Sequence, residues 1–172
     1  MRPKKQTLSA AGDANWIPVD FRGDQFGVSI GVNVSGTLTY SIQHSFDSPY
    51  NTMPVTITRT TTTATADFGE PHGKVVGDSI NVIGIREDNL DGVHEITAVA
   101  TNTVSYVVAN TGSTSEQGKA ILFSVFDNDD LSALTASADG GYVLPPTVTR
   151  LSVSSFTSGT VTANFTFLSR GA

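Results

Sequence analysis

The side chains that could do chemistry are few and scattered. Histidine occurs three times, as His44, His72 and His94. A nucleophile triad needs a Ser or Cys, a His and an acid brought together, and no Gly-x-Ser-x-Gly elbow surrounds any serine. Cysteine is absent, which removes disulfides and thiolate metal sites. Asp127-Asn128-Asp129-Asp130 is the main acidic cluster, with Glu87, Asp88 and Asp91 a weaker one. Hard cations such as Ca²⁺ take several oxygen ligands, but neither spacing matches an EF-hand loop, so a solvated loop is the expectation. No glycine loop followed by Lys-Ser/Thr is present to cradle a phosphate. Trp16, Tyr50, Tyr106 and Tyr142 could stack on sugar rings, and packing is the simpler role for each. No catalytic residue, cofactor or metal is therefore expected, and the chain is read as a non-enzyme.

Charge points the same way. The formal net charge of the 172-residue chain is −6. Nucleic-acid binders are usually basic, so that role is not expected. The exception is the start, where Arg2, Lys4 and Lys5 cluster around Pro3 and run toward Trp16. These four are the candidate partner-binding residues: a basic arm that docks on an acidic surface, with an aromatic behind it. The start runs into Gln6-Thr7-Leu8-Ser9 rather than an apolar stretch, and no run approaches the ~18 apolar residues of a membrane helix, so neither a signal peptide nor a membrane partner is expected.

The elements that must position these residues are strands. Charged residues make up only 15% of the chain, so Thr, Ser and Asn carry the surface, and with 16 Gly they suit strands and turns. Phe26, Val28, Ile30, Val32 and Val34 alternate with small polar residues, as do Leu38, Tyr40, Ile42, His44 and Phe46. This period of two predicts strands with one buried face, joined as a hairpin through Ser35-Gly36. Near the end, Leu151 and Val153, then Val161, Ala163, Phe165 and Phe167, predict a second hairpin turning at Thr157-Ser158-Gly159. Trp16–Phe21 reads as an edge or strand start because of Pro18. Arg22-Gly23-Asp24 reads as a turn rather than an adhesion motif.

The middle has its own rhythm of short strands, near 55–59, 63–68, 79–85, 93–99, 103–108 and 120–125, with a polar loop over Gly112–Gly118. Such spacing makes a small barrel or sandwich. The expected fold is all-β: an extended arm over 1–15, an outer β-sandwich (jelly-roll-like or immunoglobulin-like) over 16–54 plus 125–172, and a small inserted β-barrel or sandwich over 55–124. Insertions of this kind are tolerated at exposed loop tips.

Two sets of stretches carry a resemblance. Trp16–Phe21, Phe26–Ser29, Gly36–His44, Ala138–Pro145 and Thr149–Val153 resemble short β-rich virion proteins of tailed bacteriophages. Pro71-His72-Gly73, Gly77–Val82, Asp91-Gly92, Ile96–Val99 and Tyr106 resemble a small β-module recurrent in phage tail and fibre proteins. The resemblance implies a virion structural protein assembled in a bacterial cytoplasm. Its implied role is a capsid decoration or cement protein that binds the major capsid protein, as a homo-oligomer. A tail, collar or fibre component is the alternative, and a glycan-binding attachment module the third.

Overall fold

The computed structural model describes residues 3–19, 25–87, 89–109 and 112–169. Arg2 and the Arg22-Gly23-Asp24 turn lie outside them. The described residues are all-β, with strands β1 (Lys4–Leu8), β2 (Gly12–Asp13), β3 (Ile17–Pro18), β4 (Gln25–Ser45), β5 (Met53–Thr60), β6 (Thr63–Asp67) and β7 (Ser79–Ile83). They continue as β8 (Gly92–Glu95), β9 (Ala98–Val99), β10 (Thr103–Val107), β11 (Ser113–Phe123), β12 (Phe126–Asp127), β13 (Ala138–Tyr142) and β14 (Val148–Ser169). Among them no helix is long and apolar enough to cross a membrane. The chain divides into two compact units, Met1–Phe46 with Phe126–Ala172, and Asp47–Val125.

Unit 1 is built on β4 and β14, which pair antiparallel from Ser45↔Val148 to Gln25↔Ser169. Neither expected hairpin exists: β4 runs on through Ser35-Gly36, and β14 through Thr157–Gly159. Instead Gly36 and Gly159 sit opposite each other, at φ 108° and 95°. Two extra residues enter β14 just before this point, at the register shifts between Val153 and Ser155 and between Phe156 and Ser158. Bulges bend and twist a ribbon, and glycine alone adopts positive φ freely. The ribbon thus bends where the hairpin turns were expected, and one continuous face lines a single core. Val28, Ile30 and Val32 share that core with Leu38, Tyr40 and Ile42, and Leu151 and Val153 with Val161, Ala163, Phe165 and Phe167. The bulges also explain Phe156, which joins the core although the neighbouring core positions of β14 are odd-numbered.

Each half of the ribbon gains flanking strands. One half has the order β1-β14-β4-β13, and the other pairs β2 and β3 with β14 and β12 with β4. The two halves face each other as a β-sandwich. Lys4–Leu8, set apart in the sequence as an arm, is extended but hydrogen-bonded along β14 from Lys4↔Phe165 to Leu8↔Val161.

Unit 2 is one sheet in the order β8-β7-β11-β5-β6-β10-β9. Its edge strands, β8 and β9, are consecutive in the chain with only Ile96-Thr97 between them. Three Cα steps reach at most about 10 Å, so the sheet must curl until its edges meet. Backbone bonds stitch the seam: Ile96 N donates to Asp78 O at 2.8 Å, and Thr97 N to Ser105 O at 2.8 Å. Ile57, Ile80, Leu90, Ile96, Val104 and Tyr106 fill the interior, all at 0% exposure. The polar loop expected over Gly112–Gly118 is instead the first half of β11, paired with β5 from Ser113↔Thr60 to Ala120↔Met53. Burial alternates along Ser113–Lys119 between exposed and half-buried, but the half-buried positions, Thr114, Glu116 and Gly118, are not large apolar residues, so the sequence shows no apolar alternation there.

Candidate functional site

Of the candidate partner-binding residues, Lys4, Lys5 and Trp16 are described, and they sit on or beside strands that pair with different stretches of β14. Lys4 and Lys5 are exposed on β1, which pairs with the 161–165 stretch of β14. Trp16 precedes β3, which pairs with Val148 and Thr149 in the other half of the ribbon. Trp16 is half-buried, with the Arg150 guanidinium 4.3 Å from its ring centroid. Arg150 is 2% exposed, bonds Asp13 Oδ2 through Nη2 at 2.8 Å, and donates from Nε to Gln43 Oε1 at 2.9 Å. A buried guanidinium needs such partners. Trp16 therefore caps a buried structural cation.

A different surface of unit 1 stands out. His44, Phe46, Phe126 and Tyr142 form a cluster around the His44 ring, with centroids 5.3, 5.8 and 5.0 Å from it, respectively. They line a groove of about 510 Å³ with Asp127, Asp129, Asp130, Val143 and Leu144. Phe46 is 57% exposed, Phe126 50%, Val143 90% and Leu144 78%. The strand pattern explains the exposure. β4 ends at Ser45, so Phe46 falls just past the last paired residue, and Phe126 opens the two-residue β12 opposite His44. Val143 and Leu144 follow the end of β13.

The acidic loop beside these rings is rigidly tied. Asn128 is buried, its Oδ1 accepts from the backbone N–H of Asp130 and Leu131 at 3.1 Å each, and its Nδ2 donates to Gly141 O at 3.2 Å. Asp127 accepts from Gln43 Nε2 at 3.1 Å and from Ser132 Oγ at 3.0 Å. Asp129 and Asp130 are exposed. Burial lowers the His44 pKa, against the opposing pull of the Asp129 and Asp127 carboxylates. The Tyr142 phenol is pushed up to about 12, chiefly by burial. At neutral pH the groove thus presents neutral rings beside carboxylates. It can bind an apolar or cationic surface and holds no activated nucleophile.

The other candidates, Tyr50 apart, have structural partners. In unit 2, His72 Nε2 lies 2.9 Å from Ala100 O and 3.1 Å from Thr103 O, and its Nδ1 accepts from Lys74 N at 3.1 Å. His94 stacks on Tyr106 at 4.4 Å. Tyr106 is fully buried and donates to Leu90 O at 3.2 Å. Tyr50 is 76% exposed and stands outside any aromatic cluster among the described residues. Among the described residues no three His, Cys, Asp or Glu side chains converge as a metal cage. Comparison with protein-family models, curated proteins and solved structures returns no match.

Sequence reasoning missed the groove because Phe46 continues the buried parity of β4 and Phe126 sits at a unit boundary. The signal that could have found it is a set of large apolar residues just beyond strand ends, next to an acidic run.

Proposed function

We propose that this chain is a non-enzymatic structural protein of a tailed-bacteriophage virion, most specifically a capsid decoration or cement protein. The observation that carries this reading is the uncovered groove of Phe46, Phe126, Val143 and Leu144. Interface cores are rich in aromatic side chains, and a rimmed apolar patch marks a surface meant to be covered. Burying the exposed parts of these four side chains is worth on the order of 5 kcal/mol before the costs of association. That is a modest gain per copy, and it suits a protein bound many times over one particle. Each bound copy stabilises the assembled shell by mass action. The phage assignment itself rests on the sequence stretches that resemble virion proteins.

A tail, collar or fibre place is the second reading. It is favoured by unit 2, because the stretches resembling a tail-type module are those that build its curled sheet, including β7 and Ile96.

The test is the copy number and location of the chain in purified particles, by quantitative mass spectrometry with electron microscopy. Hundreds of copies on the head are expected. A few copies on the tail would move the function to the second reading, and absence from particles would remove both. The Phe46→Ser/Phe126→Ser double variant should fold yet fail to bind particles lacking the chain.

A further inference from the structure

The geometry points to a head-to-tail contact between copies of this chain, in which β1 of one copy continues the sheet of the next beside its β13. The inference rests on the chain being a self-assembling part, and it names the contact.

Among the described residues the half-sheet β1-β14-β4-β13 has two open edges. Its registers align across all four strands: Lys5↔Asn164, Asn164↔Gly31 and Gly31↔Asp139. Lys5 and Asp139 therefore stand on one row, at opposite edges. Row partners in a sheet point to one face, and both residues are exposed. Strand direction also fits. β1 runs parallel to β4 and antiparallel to β13, so a neighbour set beside the sheet in the same orientation would bring its β1 antiparallel to β13. That is the pairing the rest of the sheet already uses. β1 and β13 are both five residues long. The Gly141 carbonyl is already taken by Asn128 Nδ2 at 3.2 Å, so the open part of β13 is Ala138–Gly140, with Asp139 at its centre.

Charge selects the same arrangement. Among the described residues of unit 1, the Lys and Arg are Lys4, Lys5 and Arg150, and Arg150 is buried against Asp13. The exposed cations among the described residues of unit 1 thus lie on β1. Apart from Asp13, the acids are Asp127, Asp129, Asp130 and Asp139. Asp139 is on β13, and Asp130 lines a cleft with Gly140–Val143. One edge is basic and the other acidic. A lysine on an edge strand often guards against unwanted sheet extension; here the opposite edge supplies the countercharge, so the same residue selects a partner. A contact between two different patches is heterologous, and it closes a ring when the rotation between copies permits.

The experiment is sedimentation of the isolated full-length chain across a concentration series. Wild type should associate. Lys5→Glu and Asp139→Lys should each weaken association at least tenfold, and the chain carrying both should regain it, because the pair is restored with its charges exchanged. Lys119→Glu, an exposed charge on β11, should change nothing. Circular dichroism and thermal melting confirm that each variant is folded; all three sites are exposed. A wild type that stays monomeric, or association untouched by either reversal, overturns the contact. A chain that associates through Lys5 and Asp139 yet is absent from particles would remove the virion reading and leave the contact standing.

Discussion

Gly159→Ala should strongly destabilise unit 1, and the size of the effect follows from two separable terms. Gly159 has φ 95°, where an L side chain costs about 1–3 kcal/mol. The second term is space. A Cβ added at Gly159 would lie 1.7 Å from Ser35 O and 2.7 Å from Gly36 Cα. Ordinary heavy-atom contact is about 3.5–4 Å, and both obstacles are backbone that cannot rotate aside. The strands would have to part by roughly 2 Å in the middle of the ribbon, losing neighbouring ladder hydrogen bonds at about 1 kcal/mol each. The total is at least about 4 kcal/mol, against about 5–15 kcal/mol for a whole domain. Gly12 supplies the control in the same unit: its φ is 133°, and nothing lies within 4 Å of an added Cβ. Gly12→Ala should therefore show the conformational term alone. Trp16 is the single tryptophan and belongs to unit 1, so urea titrations followed by its fluorescence report that unit. Gly159→Ala should lose at least about 2 kcal/mol more than Gly12→Ala. Equal losses would refute the account of Gly36 and Gly159 as a steric bend.

Other outcomes follow from the same geometry. Arg150→Met should cost about 1–3 kcal/mol by removing the charge-assisted bonds to Asp13 and Gln43, and should shift the Trp16 emission; Arg150→Lys should rescue little, because an ammonium cannot serve both partners and stack on the ring. His44 and His94 both have folded pKa values lowered by burial. The unfolded chain then binds the extra protons, so stability should fall as pH drops below about 6.5 and level off below the folded pKa values; His44→Gln should flatten this dependence in the Trp16 signal. For Tyr142, raised to about 12, the sign is set at the alkaline end. Its contribution is full below about pH 10 and should be lost as pH rises from there to about 12, to the extent of roughly 2–3 kcal/mol, and Tyr142→Phe should remove that loss. The segment 47–125 expressed alone should melt cooperatively, because it has its own core and its ends are clamped: Lys74 Nζ lies 2.7 Å from Asp47 Oδ2 and 2.8 Å from Ser124 Oγ. Lys74→Ala should lower its melting temperature, and a non-cooperative melt of the parent segment would refute its independence.

The alternation in the sequence was enough to determine that the chain is all-β and which side chains within a strand share a face. Val28, Ile30, Val32, Leu38, Tyr40 and Ile42 are read as one buried face and are found in one core. The reason is local: a strand's side-chain period is two whatever it pairs with. Partners are not local, and there the pattern is silent. Val34 and Leu38 share a face whether the chain turns back through the three residues between them or bends through them, and glycine serves both. Only the pairing of β4 with a strand more than a hundred residues away decided for the bend. The same limit applies to the surface. Nothing around Arg150 in sequence announces a buried cation, because Asp13, Trp16 and Gln43 come from three other strands or strand ends. Phe46 carries the parity of a core residue and is exposed because its strand stops one residue earlier. Which face a residue takes is written in its neighbours; whether anything lies across that face is decided by segments far along the chain.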